Sequence, residues 1–172
     1  MEKHYWLDEI MKQYGDELVR LAYTYVKDGE TARDLVQNTF MKCYEKSETF
    51  RGDASQKTWL YRITINQCKD YLRSWHHKKV RTISYIQEKV SSTTPSAERV
   101  VVEQAGNEEI QEVLFTLPKK YREIIYLYYY KSLKLEEIAS VTDLEINTVK
   151  TRLRRARLKL RGKMEEAGVH EG

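Results

Sequence analysis

Apolar residues recur every three or four positions along most of the chain, the spacing of helices with one buried face. Trp6, Ile10, Tyr14, Leu18, Leu21 and Tyr25 mark a single stripe and predict a helix over 5–27. Asp28-Gly29 interrupts it, and Asp28 or Thr31 stands where a side-chain oxygen can cap the next helix, over about 31–47. That helix turns Leu35, Val36, Phe40, Cys43 and Tyr44 inward and leaves Asp34, Gln37, Asn38, Met41 and Glu45 outside. The run 47–57 is polar around one aromatic, Phe50, and predicts a loop. A third helix follows from about Thr58 to Trp75 or beyond.

From Ile83 to Asn107 the periodicity dissolves around the cluster Ser91-Ser92-Thr93-Thr94-Pro95-Ser96, so a linker is expected there. Periodicity resumes near Glu108. Ile110, Val113, Leu114 and Leu117 give a short amphipathic helix stopped by Pro118, which also suits the first turn of a helix over 119–131. Ile124, Ile125, Leu127 and Tyr128 face inward there, and the tyrosines at 126 and 128–130 read as core and interface filling. The expected fold is all-α: two small helical domains, 1–82 and 108–172, joined by a linker over 83–107.

The end of the second domain reads as a helix-turn-helix. Leu135–Val141 forms a short helix with Ile138 and Ala139 inward. Asp143 tolerates the left-handed backbone that a tight connection needs, and Asn147 or Thr148 is placed to cap a longer helix. Val149, Leu153, Ala156 and Leu160 form its inward stripe. Between Ile146 and Met164 the chain has eight Lys or Arg and no acid, and Lys150, Arg154, Arg157 and Arg161 form one row. A solvated helix face normally mixes signs through pairs four residues apart, so an acid-free face points to a polyanion. Laid in the major groove, such a helix offers its first residues to base edges and its later arginines to phosphates.

A second basic row lies on the third helix, where Arg62, Asn66, Lys69, Arg73 and His77 recur beside the apolar row Tyr61, Ile65, Cys68 and Leu72. Trp59, Tyr71 and Trp75 are interleaved with the charge. Cations beside aromatic rings suit single-stranded DNA, through phosphate neutralisation and base stacking. A solvated rim over core aromatics accounts for the row equally well, and both readings stand.

Composition narrows the classes. Seven Gly and two Pro in 172 residues are too few for a strand-and-turn architecture. The net charge of +4 is unevenly spread: 1–50 and 83–145 are net acidic, 51–82 and 146–172 net basic. That alternation suggests two polyanion contacts and acidic surfaces left for a basic protein. Cys43 and Cys68 sit in apolar patterns with no CxxC, which predicts buried free thiols. Neither a signal peptide nor an apolar run of membrane-spanning length is recognisable, so a cytoplasmic protein that is not membrane-embedded is expected. No metal set, nucleophile triad or phosphate loop is visible, so no catalytic residue, metal, cofactor or small-molecule substrate is assigned.

Two stretches resemble the extracytoplasmic-function sigma factors, small members of the sigma-70 family. In 30–73 the motifs are DLVQ-x-x-F and TWLYRI-x-x-N; in 117–160 the motif is TVK-x-R-x-x-RAR. They occur in the family's order with a linker between them. The resemblance implies a factor that binds core RNA polymerase, reads the −10 and −35 promoter elements, and acts in the cytoplasm, at the nucleoid when bound to polymerase. It also implies control by an anti-sigma factor. By matching position, Asp34, Val36, Gln37 and Asn38 are expected at the polymerase. Lys46, Phe50, Ile63 and Asn66 match a pocket for a base flipped from the −10 element, with Arg62, Lys69 and Arg73 alongside. Thr148, Lys150, Thr151, Arg152, Arg154 and Arg155 are expected at the −35 element. The rival reading is a helix-turn-helix regulator that acts without replacing sigma.

Overall fold

The computed structural model describes residues 2–50, 52, 55–82 and 108–169, apart from the side chains at 77 and 79–82. The chain divides into two units, Met1–Glu98 and Arg99–Gly172, and every described regular element is helical. The expected linker over 83–107 lies outside the described residues.

The first unit packs α1 (Glu2–Val26), α2 (Gly29–Glu45) and α3 (Gln56–Thr82), with a single 3-10 turn at Ser47–Thr49. Ile10, Leu18, Leu21 and Tyr25 of the α1 stripe are buried against Leu35, Val36, Phe40 and Cys43 of α2 and Leu60, Tyr61, Ile65 and Cys68 of α3. Lys27 ends α1 in the left-handed conformation, φ 57°, its N–H bonded to the Tyr23 carbonyl at 2.8 Å. Asp28 is the N-cap of α2, but its carboxylate takes the Thr31 hydroxyl at 2.5 Å and bonds no backbone N–H of the first turn. Ser55 caps α3, its Oγ accepting the Thr58 N–H at 3.1 Å. Across the bundle the Tyr61 hydroxyl donates to the Glu17 carboxylate, which also pairs with Lys57 at 3.3 Å.

The second unit holds α4 (Glu108–Thr116), α5 (Lys119–Ile125), α6 (Leu135–Thr142) and α7 (Ile146–Glu166). Ile124, Leu127, Ile138, Val141, Val149 and Ala156 are fully buried at its centre. The helix expected over 119–131 does not run through as one α-helix: Tyr126–Tyr130 forms a π-helical turn, closed by Lys131 N–H to the Tyr126 carbonyl at 3.2 Å. Its wider coil buries Tyr126 and leaves Tyr128 only half-buried.

Candidate nucleic-acid and protein interfaces

The helix-turn-helix is built as its residue types dictate. Ile138 and Val141 bury one face of α6, and the Glu137 carboxylate accepts the Lys134 N–H at 3.0 Å at its start. Asp143 adopts φ 57°, ψ 42°, and the Leu144 N–H returns to the Ala139 carbonyl at 3.1 Å, so the chain reverses in three residues. α7 begins at Ile146, with Glu145 as N-cap and no side-chain cap bond. The expected cap at Asn147 or Thr148 is therefore displaced: both already lie inside the helix, because the αL turn at Asp143 ends the connection earlier than the polar residues suggest.

Val149, Leu153 and Ala156 anchor α7 inward, while Leu160 is only half-buried. Lys150, Arg154 and Arg155 are exposed, and Thr148, Thr151 and Arg152 half-buried. Lys150, Arg154 and Arg155 make no ion pair among the described residues. The row expected at 150, 154, 157 and 161 is broken at one member. Arg157 Nε–H donates to the Tyr129 hydroxyl at 2.6 Å, and its guanidinium lies 5.2 Å from the Tyr128 ring centroid and 5.6 Å from that of Tyr129. The signal for this contact was the exceptional run YLYYY, whose aromatics read as filler; Tyr129 is instead 51% exposed.

In the first unit, the outward face of α2 presents Asp34, Gln37 and Asn38 to solvent. Val36 departs from that set. It is 4% exposed and faces the core beside Leu35, since it lies about 100° around the helix from Gln37. Gln37, Phe40 and Met41 border a largely apolar groove of about 540 Å³ between α1 and α2, closed on the other side by Leu7 and Met11. Met41 is 63% exposed. Sequence reasoning had placed Met41 outside but had not shown that Met11 joins it.

Directly after Tyr44 and Glu45, which also line that groove, Lys46 ends α2 and is exposed, and Phe50 lies just beyond the 3-10 turn. Phe50 packs on Trp59, ring centroids 5.1 Å apart, and Trp59 also meets Trp6 at 6.2 Å. Trp59, Ile63 and Asn66 follow at spacings of four and three along α3, so Phe50 docks on the face carrying half-buried Ile63 and exposed Asn66. Arg62 and Arg73 are exposed and Lys69 half-buried, with Arg73 bonded to Asp70 at 2.9 Å. The interleaved aromatics divide. Trp59 belongs to the Trp6–Phe50 cluster and Tyr71 is half-buried, whereas Trp75 is 48% exposed. Among the described residues no group of His, Cys, Asp and Glu is arranged to hold a metal ion, and no helix is long and apolar enough to cross a membrane.

Comparison with known proteins gives concordant matches. A family model described as Sigma-70 region 2 matches residues 10–77, and one described as Sigma-70, region 4 matches residues 107–160. The RNA polymerase sigma factor SigV of Bacillus subtilis (strain 168) is 38% identical over 143 residues, covering 83% of this chain and 81% of that protein. The ECF RNA polymerase sigma factor SigM of the same organism is 34% identical over 169 residues, covering 96% and 98%. Among solved structures, the sigma factor RpoE in complex with the anti-sigma factor NepR from Bartonella quintana has a similar fold. Its TM-score is 0.72 at 21% identity, covering 92% of this chain and 96% of that one.

Proposed function

Because the chain belongs to the sigma-70 family of RNA polymerase sigma factors, as a relative of its extracytoplasmic-function (ECF) members, we propose how its surfaces divide the work of promoter-specific initiation. The domain over 1–82 docks on core polymerase and holds the melted −10 element, 108–172 anchors the −35 duplex, and 83–107 joins them. The observation that carries this reading is the α7 face: Lys150, Arg154 and Arg155 stand in solvent with no acid to neutralise them, on the second helix of a helix-turn-helix.

Each contact has a chemical role. Asp34, Gln37 and Asn38, beside the Met11–Met41 groove, meet polymerase through a polar rim around an apolar centre, the usual anatomy of a protein interface. Phe50, Ile63 and Asn66, with Lys46 near, receive an unstacked base. Extruding one costs a few kcal/mol, and ring contact together with a hydrogen bond to the base edge returns it. Arg62, Lys69 and Arg73 run along the strand's phosphates. Thr148, Lys150, Thr151, Arg152, Arg154 and Arg155 serve the −35 major groove, the first of them nearest base edges. Val36 supports the polymerase face from beneath. The protein contributes no catalysis of its own and acts in the cytoplasm, at the nucleoid when joined to polymerase. An anti-sigma factor, as in the RpoE–NepR complex, holds it inactive.

Run-off transcription with purified core polymerase on a random promoter library tests the proposal. Initiation from a restricted set of sites, dependent on this chain, is the expected result. Absence of initiation, together with DNA binding by the chain alone, would favour the regulator reading.

A further inference from the structure

α7 is anchored on its hydrophobic side by Val149, Leu153 and Ala156, all three buried. That anchor lies on one side only and leaves the opposite, exposed side some freedom to roll, and the angular setting matters here. With side chains reaching about 5–6 Å from the axis, a 20° roll moves an α7 arginine by about 2 Å, enough to break a hydrogen bond to a base edge. A directional contact near the exposed edge would remove that freedom.

The Arg157 contact has the required form. Its Nε–H bond to Tyr129 fixes both distance and angle, and the guanidinium lies close to two rings set nearly edge to face, 4.9 Å apart at 79°. Tyr128 and Tyr129 are consecutive, and consecutive residues on an α-helix diverge by about 100°. They converge on one guanidinium within the π-helical turn at Tyr126–Tyr130, whose coil is wider. Such turns are rare and frequently mark functional sites. Arg157 is thereby taken out of the phosphate-facing row that its spacing from Lys150 and Arg154 suggests.

We propose that Arg157, clamped by Tyr128 and Tyr129, is a positioning residue that sets the roll of α7 and so the aim of Lys150, Arg154 and Arg155, without contacting DNA itself. This rests on the reading of α7 as the DNA-contacting helix. The test uses the full chain assembled with core polymerase, on duplexes recovered from the run-off selection, with affinity measured over a salt series for wild type, Tyr129→Phe, Arg157→Gln and the double variant. Tyr129→Phe removes one oxygen and keeps the ring, so it remains informative should Arg157→Gln fold poorly, which thermal melting reports.

The expected result is a loss of about three- to tenfold for each single variant, the scale of one ordinary hydrogen bond, since the clamp acts on DNA only through the aim of its neighbours. The double variant is no weaker than the weaker single, the slope against log salt is unchanged, and the ranking among base-substituted duplexes is altered. A slope reduced by about 0.9 in Arg157→Gln, with Tyr129→Phe neutral, makes Arg157 a phosphate contact and overturns the proposal. Unchanged affinity in both, or additive losses in the double variant, also overturns it. If wild-type holoenzyme selects no duplex, the DNA reading of α7 itself has failed, a result distinct from all of these.

Discussion

Replacing Arg155 by Ala separates the contribution of α7 to DNA from its contribution to folding. The side chain is exposed and forms no ion pair among the described residues, so its removal opens no cavity and orphans no partner. Ala is also the better helix former, and stability is expected to stay within about 0.5 kcal/mol of wild type. At the DNA the outcome depends on what the guanidinium meets. A base-edge contact is worth about 1–3 kcal/mol, a loss of about 5- to 150-fold, concentrated on sites carrying one particular base pair. A phosphate contact instead lowers affinity evenly across sequences and reduces the salt slope by about 0.9, so raising salt fourfold weakens the variant about 3.5-fold less than wild type. Fluorescence anisotropy of labelled promoter duplex with holoenzyme, repeated over salt and over base-substituted sites, reads both quantities. Co-purification with core polymerase serves as the control. Lost polymerase binding with intact DNA recognition would refute the assignment of α7, as would unchanged DNA affinity at every salt concentration.

Asp34→Lys reverses an exposed charge on α2; association with core polymerase, followed by surface-immobilised titration, should weaken roughly tenfold while the fold persists, and unaltered association would remove α2 from that interface. Burial pushes the Cys43 and Cys68 thiols up to about 12, so both should resist iodoacetamide at pH 8 until denaturant is added; fast native labelling would contradict their packing. The same raised values mean that the folded state holds its thiol protons more tightly than the unfolded chain. Their stabilising contribution is therefore intact below pH 9 and lost as pH rises from there toward about 12, which urea midpoints across that window should show. Ser132→Gly relieves a left-handed residue at φ 54° and should raise stability by about 1 kcal/mol; a lower melting midpoint would mean the serine hydroxyl contributes more than the strain takes away.

The helices were legible because burial acts through periodicity. The α1 stripe and the inward residues of α2 and α7 follow directly from which side chains must leave water, and Asp143 is the sort of residue a left-handed turn accepts. At Val36 two readings met: periodicity turned it inward, where it is buried beside Leu35, while the resemblance grouped it with the exposed Asp34 and Gln37. The π-helical turn was not legible, since one extra residue in a coil alters neither composition nor spacing enough to stand out over five tyrosine-rich positions. The groove joining Met11 to Met41 needed the crossing of α1 and α2, which is a tertiary fact. Phe50 likewise read by periodicity as a lone aromatic in a polar loop; the resemblance grouped it with Ile63 and Asn66, and its ring contact with Trp59 sets it on the α3 face that carries them.

The charge on α7 is hard to explain by folding alone. Lys150 and Arg154 stand four residues apart, as do Arg157 and Arg161, and like charges at that spacing oppose the helix by about 0.2–0.5 kcal/mol per pair. Acids on this face would remove the repulsion and add favourable pairs, yet the stretch from Ile146 to Met164 contains none. The helix persists because Val149, Leu153 and Ala156 are buried beneath it, each contributing more through packing than one repulsive pair removes. An arrangement that folding disfavours, and that only the core beneath sustains, calls for a compensating anion outside the protein. Phosphates spaced along a duplex provide it, releasing counterions as the arginines approach. Arg154→Glu, which sets an acid between Lys150 and Arg157, should accordingly raise the melting midpoint in low salt while sharply weakening promoter binding; a midpoint that falls instead would show that the cations stabilise the fold, and would remove the main reason to look for DNA on this face.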